Sequence, residues 1–184
     1  APLVNAWGFG FKNGQHPTET QVDSLCALVG YKGIDIVDGL IFKENPSTVI
    51  DLSAIAKGFG TDQVANLLTE RGIKNFMVEI GGEIVTHGNN PKGEAWHIGI
   101  NRPVEDSTSN INEIQEVINV HNCAMATSGN YRNFYITEDG RKVSHTINPS
   151  TGRPVQHSLL SSTVLAPTCA MADAFATSFM VMGI

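Results

Sequence analysis

The chain has 184 residues, of which 41% are hydrophobic and 16% charged, so neither a disordered charged tail nor a membrane protein fits its composition. Twelve Lys and Arg against eighteen Asp and Glu give a formal net charge of -6, the wrong sign for a protein that binds nucleic acid or anionic lipid. The three cysteines show no C-x-x-C spacing, which argues against a zinc or redox motif. The length fits one medium domain or two small ones.

Local signals predict the elements in chain order. Thr18 and Gln21 form a capping box that begins a helix, for which Gly30 is the stop signal. The dipeptide Asp38-Gly39 favours a two-residue hairpin turn. Further helices are predicted over 53–71 and from 167 onward. Strands are predicted at 34–37, 40–42, 49–52, 75–80, directly after Gly81-Gly82, at 96–101, 132–136, 142–147 and 161–166.

This order of elements indicates an α+β fold. The helix at 53–71 lies between two strands and suggests a crossover, whereas the hairpin signals require antiparallel pairs, so mixed sheets with packed helices are expected. The polar segment 103–112 is expected to be a loop or hinge. Gly81-Gly82 and the segment A-T-S-G-N at 126–130 are expected to be turns or places where backbone approaches a ligand.

A first candidate site lies where a predicted strand gives way to a helix, in D-L-S-A-I-A-K-G-F-G at 51–60. A helix N-terminus offers unpaired N–H groups to a phosphate, and Lys57 lies one turn into the helix. The alternative is that Asp51 caps the helix and that Lys57 is a solvated surface charge.

A second candidate site lies on the last predicted helix. Asp173 and Thr177 are four residues apart and therefore share one face, where their oxygens suit Mg²⁺ if a substrate phosphate completes the coordination shell. We expect Met171, Ala174 and Phe175 to mark the buried side. The alternative is a surface Asp beside a Thr that bonds back to its own helix.

A third candidate is His145, which ends a predicted strand just before a loop rich in Pro and Gly. A scaffold can present a side chain to a ligand from such a loop, and imidazole is the natural proton acceptor near neutral pH. The alternative is a surface or hydrogen-bonded structural histidine.

Five segments in this order resemble the ApbE-type FAD:protein FMN transferases, namely D-L-S-A-I-A-K-G-F-G, E-I-G-G-E-I, A-T-S-G-N-Y, S-H-T-I-N-P-S-T-G-R-P and A-D-A-F-A-T. Members of this family move FMN from FAD onto a threonine or serine of a target flavoprotein, with Mg²⁺, and release AMP. The resemblance implies an α+β fold of two intertwined subdomains, with residues 1–184 as part of one such domain. It also implies a further segment before Ala1, with an export signal and more flavin contacts.

The resemblance assigns roles residue by residue. Asp51 and Lys57 are expected to contact FAD, Ile147 is expected to line the flavin nucleotide's pocket, and His145 is the expected base. The remaining assignments concern the metal.

For Mg²⁺, the resemblance implies the Ala54 carbonyl, the Asp173 carboxylate and the Thr177 hydroxyl as ligands. Ala176 stands where other members have an Asp, so it can offer only its carbonyl.

The expected function is therefore Mg²⁺-dependent FMN transfer from FAD to a protein hydroxyl. Three alternatives stay open: a FAD pyrophosphatase that yields FMN and AMP, a FAD-binding module without chemistry, and a truncated, inactive fragment. The resemblance implies an acceptor subunit of a membrane redox complex as partner. It also implies a location at the periplasmic side of a bacterial inner membrane, through a lipid anchor outside this chain.

Overall fold

The computed structural model describes residues 2–10, 16–104 and 113–184. The part 105–112 of the expected loop at 103–112 lies outside the described residues. The chain divides into two compact units, each built from two separate stretches of sequence. Unit 1 comprises Ala1–Asp51 and Tyr135–Gln156, and unit 2 comprises Leu52–Phe134 and His157–Ile184. The stretches of the two units therefore alternate along the sequence.

Helices and strands alternate irregularly along the chain, as expected for an α+β fold. The helices of the described part are α1 (Pro2–Ala6), α2 (Glu19–Cys26), α3 (Ala56–Glu70) and α4 (Cys169–Met182). The strands there are β1 (Ile34–Val37), β2 (Leu40–Lys43), β3 (Phe76–Ile80), β4 (Glu83–His87), β5 (Trp96–Asn101), β6 (Ile114–Val120), β7 (Ala124–Gly129), β8 (Phe134–Ile136), β9 (Lys142–Ser144), β10 (Ile147–Asn148), β11 (Arg153–Pro154) and β12 (Ser161–Ala166). No helix in the described ranges combines the length and the apolar character that crossing a membrane requires.

Unit 1 is built from short elements whose turns the sequence specifies. Both halves of the Thr18 capping box are formed at the start of α2. Asp38 and Gly39 take positive φ angles of 50° and 77° between β1 and β2, which is the two-residue turn that was predicted. A side chain at Gly152 would lie 2.4 Å from the Cys26 Sγ, so only glycine fits where this loop meets α2.

Unit 2 is a four-stranded sheet, in the order β12-β7-β4-β3, against which α3 and α4 pack. A separate ladder of β5 and β6 contributes Ile98 and Val120 to a core with Ile84 and Met125. The carboxylate of Asp62 on α3 accepts the N–H groups of Cys169 and Ala170 at 2.8 and 2.9 Å, so α3 supplies partners for the first turn of α4. These two hydrogen bonds fix the start of α4 relative to α3.

Several predictions about the elements are wrong. Residues 49–52 form no strand, and β6 and β7 are not anticipated by the sequence pattern, since A-T-S-G at 126–129 is β7 rather than a turn. The predicted strand at 142–147 divides into β9 and β10, and every strand pairing with a described register is antiparallel. The crossover was inferred from local order, whereas pairing direction depends on contacts distant in sequence.

The buried face of α4 also differs from the prediction. Met171 and Phe175 are 45% and 48% exposed, whereas Ala172 and Ala176 are fully buried. Ala172 packs with small residues of β7 and β12, so the helix approaches the sheet closely along its alanine side. Asp173 lies on this buried side and is therefore enclosed in unit 2.

Candidate functional site

The segment 51–60 does not use Asp51 as a helix cap. The N-cap residue of α3 is Ile55, which makes no side-chain cap hydrogen bond, and Asp51 lies exposed four residues before it. The capping alternative for Asp51 is therefore wrong.

The Asp173 carboxylate lies at the N-terminus of α3. The Gly58 N–H donates to the Asp173 Oδ2 at 3.1 Å, and Asp173 is only 3% exposed. In a regular helix that N–H would donate to the carbonyl of Ala54, four residues earlier. The structure thus brings a buried carboxylate to the turn of chain that carries Ala54.

Gly58 is required for this approach of α3 to α4. A Cβ atom at Gly58 would lie 2.3 Å from the carbonyl oxygen of Cys169, well inside any real contact distance. Only glycine lets the two helices come this close, and Asp173 reaches the Gly58 N–H because they do.

Lys57 is not a solvated surface charge. Its Nζ forms an ion pair with the Oε1 of Glu83, the first residue of β4, although the Lys57 side chain is 50% exposed. On balance the pKa of the Glu83 carboxyl is raised: burial raises it most, the hydrogen bond and charge of Lys57 lower it, and the negative charge of Asp173 raises it further. Glu83, Lys57 and Asp173 therefore form one electrostatically coupled cluster.

The Thr177 hydroxyl does not bond back to its own helix. It lies 3.0 Å from the Oγ of Ser128 on β7, and either hydroxyl can donate in this pair. A threonine that lends a lone pair to a cation still has a proton to donate, and Ser128 can accept it. Ala176, one residue earlier, is fully buried on the helix side that faces the sheet.

The oxygen atoms of unit 2 that are expected to bind Mg²⁺ come from one carboxylate, one hydroxyl and backbone carbonyls. Across the described ranges, no group of three or more His, Cys, Asp and Glu side chains could hold a metal ion. The expected Mg²⁺ ligands include only one carboxylate, so they do not form a group of that kind. One carboxylate, one hydroxyl and backbone carbonyls suit a Mg²⁺ ion that retains water or phosphate ligands. The structure brings Asp173 to Gly58, and Asp173 and Thr177 share one helix.

His145 and Ile147 lie in unit 1, after β9 and in β10 respectively. The rings of His145 and Phe9 meet edge to face at 6.3 Å between centroids, and Phe9 stacks on Tyr135 at 5.3 Å. His145 is half-buried, so the aromatic contact restrains an imidazole that is still partly accessible. The sequence predicted its place at the end of a strand but not these aromatic neighbours.

Two residues of the site were missed as functional candidates. Glu83 follows Gly81-Gly82 in the quoted E-I-G-G-E-I segment, and its position as the first residue of a strand gave no sign that it was buried. Ser128 lies in a segment that was expected to be a turn. The missing information was the pairing of β4 with β7 for Glu83 and of β7 with β12 for Ser128, because neither pairing is local in sequence.

The chain is similar in sequence to known proteins over its whole length. The sequence model of the ApbE family matches residues 1–184. A FAD:protein FMN transferase of Vibrio cholerae is 45% identical over 184 residues, which cover 99% of this chain and 54% of that protein. One of Escherichia coli K12 is 37% identical over 188 residues, covering 99% of this chain and 52% of that protein.

Solved structures give the same result. The flavin transferase ApbE from Vibrio cholerae matches with a TM-score of 0.85 at 42% identity, covering 98% of this chain and 56% of that one. The ApbE protein of Thermotoga maritima matches with a TM-score of 0.86 at 27% identity, covering 99% of this chain and 58% of that one. The chain spans about half the length of the curated relatives it matches. Because the family match extends over every residue, the chain belongs to the ApbE family.

Proposed function

We propose that this chain carries the Mg²⁺-dependent transfer of FMN from FAD to a threonine or serine hydroxyl of a target flavoprotein, with release of AMP. The observation that supports it most is the buried Asp173 carboxylate held by the Gly58 N–H beside Lys57. Relatives that are 45% and 37% identical are named FAD:protein FMN transferases.

The charges of unit 2 suit a phosphate ligand only together with a cation. In their ionised forms, Glu83 and Asp173 carry two negative charges against the one positive charge of Lys57, which makes the cluster net negative. An anionic pyrophosphate would be repelled by this cluster unless a divalent cation came with it. We therefore propose that FAD and Mg²⁺ bind together.

The Ala54 carbonyl, the Asp173 carboxylate and the Thr177 hydroxyl would hold the cation. When bound, Mg²⁺ would neutralise charge on the pyrophosphate and on the AMP leaving group. Ala176 offers only its backbone carbonyl, and α4 continues to Met182, so the regular helical partner of that carbonyl is the N–H four residues later. Asp173 is thus the charged ligand in the proposed set.

The chain's own groups account for the proton and the substrate contacts. The oxygen of the target hydroxyl forms a bond to the FMN phosphorus, and His145 takes the proton of that hydroxyl. The bond between that phosphorus and the bridging oxygen breaks, and AMP leaves with this oxygen and its electron pair. Lys57 and Asp51 contact FAD, and Ile147 lines the nucleotide pocket. A neutral imidazole is available near pH 7 because the reference pKa of histidine is about 6.5.

Two further proposals concern the acceptor protein and the cellular location. We propose that the acceptor is a flavoprotein subunit of a membrane redox complex. We also propose that the protein acts at the periplasmic side of a bacterial inner membrane, held by a lipid anchor outside this chain. Both rest on the family to which the chain belongs.

The reaction products separate this proposal from its alternatives. The protein is incubated with FAD and Mg²⁺, with an acceptor subunit and with the same subunit whose acceptor Thr is changed to Ala. Transfer predicts AMP only with the intact acceptor. AMP and free FMN with either acceptor would indicate a pyrophosphatase. FAD binding without AMP would leave a binding module.

A further inference from the structure

Glu83 is a buried carboxylate, and removing a charged carboxylate from water costs free energy. The residue is 1% exposed, and its Oε2 has no hydrogen-bond partner among the described residues. Its Oε1 pairs with the Lys57 ammonium, which compensates part of that cost. The cost of keeping this carboxylate suggests a role beyond folding.

The turn before β4 shapes the place where Lys57 lies. Gly81 has a φ angle of +61°, and a Cβ atom there would lie 3.4 Å from the Cδ of Lys57. The Lys57 stem therefore runs along the glycine turn to reach Glu83. Half of the Lys57 side chain remains exposed, and an ammonium has three donors, so pairing with Glu83 leaves donors for a ligand.

We propose that Glu83 is a positioning residue that acts through Lys57, fixing the ammonium where it meets a phosphate of FAD. This inference rests on the proposed function, because it needs FAD as the ligand. Without Glu83, a lysine side chain has four rotatable bonds and spreads its ammonium over many positions. Fixing one position in advance removes that entropy cost from the binding step.

A positioning role and a purely electrostatic role of Glu83 predict changes of opposite sign in FAD affinity when its charge is removed. Removal of a negative charge beside Lys57 makes the cluster more positive, which by charge alone would strengthen binding of an anionic phosphate. Loss of positioning would weaken binding instead. The effect of Glu83→Gln on FAD affinity therefore distinguishes the two.

The test is a double-mutant cycle of Glu83→Gln and Lys57→Met, with FAD affinity measured by calorimetry at saturating Mg²⁺, so that a change in cation affinity does not contribute. We expect Glu83→Gln to weaken FAD binding about fivefold, within the range known for residues in direct contact. The double variant should bind no more weakly than Lys57→Met alone, because the proposed positioning acts only through the Lys57 ammonium. Glu79→Gln is the matched control, since Glu79 lies exposed on β3 and loses the same charge.

Glu83→Asp is a second variant that keeps the charge and shortens the reach to Lys57. Thermal unfolding checks that each variant is folded. If Glu83→Gln does not fold, Glu83→Asp takes its place in the test. Glu83→Asp should also weaken FAD binding, because position and not charge is lost. Unchanged or tighter binding in the folded Glu83 variants, or losses that add in the double variant, would overturn the inference alone. Absence of FAD binding by the wild-type protein would overturn the proposed function, and this inference with it.

Discussion

Asp173 is the residue on which the proposed metal site depends most. Its Oδ2 accepts the Gly58 N–H, and the residue is almost fully buried, so its orientation is set by the fold. The other proposed ligands are a hydroxyl and carbonyls, which carry no net charge. Most of the electrostatic attraction for a divalent cation therefore comes from this one carboxylate.

Asp173→Asn tests that dependence, because the amide has the same shape and its oxygen can still accept the Gly58 N–H. We expect FMN transfer to fall by more than about 100-fold, since loss of a supporting contact to a metal ligand already costs about 10- to 100-fold. FAD affinity in Mg²⁺ should fall to the value found in a chelator. Calorimetry and a transfer assay measure both, and an affinity that still responds to Mg²⁺ would exclude Asp173 as a ligand.

His145→Ala tests the assignment of the base. We expect turnover to fall about 100- to 10,000-fold, the usual contribution of general acid–base catalysis, while FAD affinity changes less than about twofold. His97→Ala is the matched control, because His97 is an exposed histidine on β5. A loss of FAD affinity as large as the loss of turnover would make His145 a binding residue.

The thiol of Cys169 should be the least reactive of the three cysteines. Burial raises its pKa to about 12, with further contributions from the charges of Asp62, Glu83 and Asp173. A raised thiol pKa means that the neutral form persists through neutral pH, and the thiolate is the reactive form. At pH 8 we expect iodoacetamide to label Cys26 and Cys123 before Cys169, as read by peptide mass. Equal labelling of Cys169 in the folded protein would contradict this burial.

At the scale of elements, the close packing of α3 on α4 depends on small residues. Gly58 faces the backbone of Cys169, and Ala172 packs against the alanines of the sheet. The site lies at this close contact, since the bond from Gly58 to Asp173 crosses from one helix to the other. A larger side chain at Gly58 would therefore disturb both the packing and the site.

Gly58→Ala should lower the free energy of unfolding by about 3 kcal/mol, because its Cβ would meet backbone atoms that cannot move aside. Gly60→Ala is the control in the same helix. Its Cβ would meet nothing within 4 Å, so it should stabilise the protein by up to about 1 kcal/mol through helix propensity. Urea unfolding measures both, and equal stability of the two variants would contradict the close approach of α3 and α4.

The elements that sequence predicts well are those with local causes. The capping box at Thr18 and the turn at Asp38-Gly39 are both formed, since each depends on residues within a few positions. The strand predicted at 49–52 fails because apolar residues form a strand only where a partner strand exists. On α4, Met171 and Phe175 were expected on the buried side but are exposed, whereas Ala172 and Ala176 are fully buried.

At the scale of the whole molecule, the family could be recognised from five short segments, but the arrangement of the sheet could not. The order β12-β7-β4-β3 joins strands far apart in sequence, and no local pattern specifies it. Glu83 and Ser128 acquire their places from that order, which explains why neither was predicted as part of the site. The residues assigned from the family motifs needed no such information, because those motifs are themselves local.

Transfer of flavin to a protein hydroxyl is the activity that we propose for this protein. Its most direct measurement is the intact mass of an acceptor subunit after incubation with FAD, Mg²⁺ and this chain, alone and fused to the part of the Vibrio cholerae relative that the match leaves uncovered. We expect a mass increase of one FMN less one water on the acceptor threonine, with one AMP released per flavin. An acceptor of unchanged mass with both proteins, while FAD is bound or hydrolysed, would contradict it.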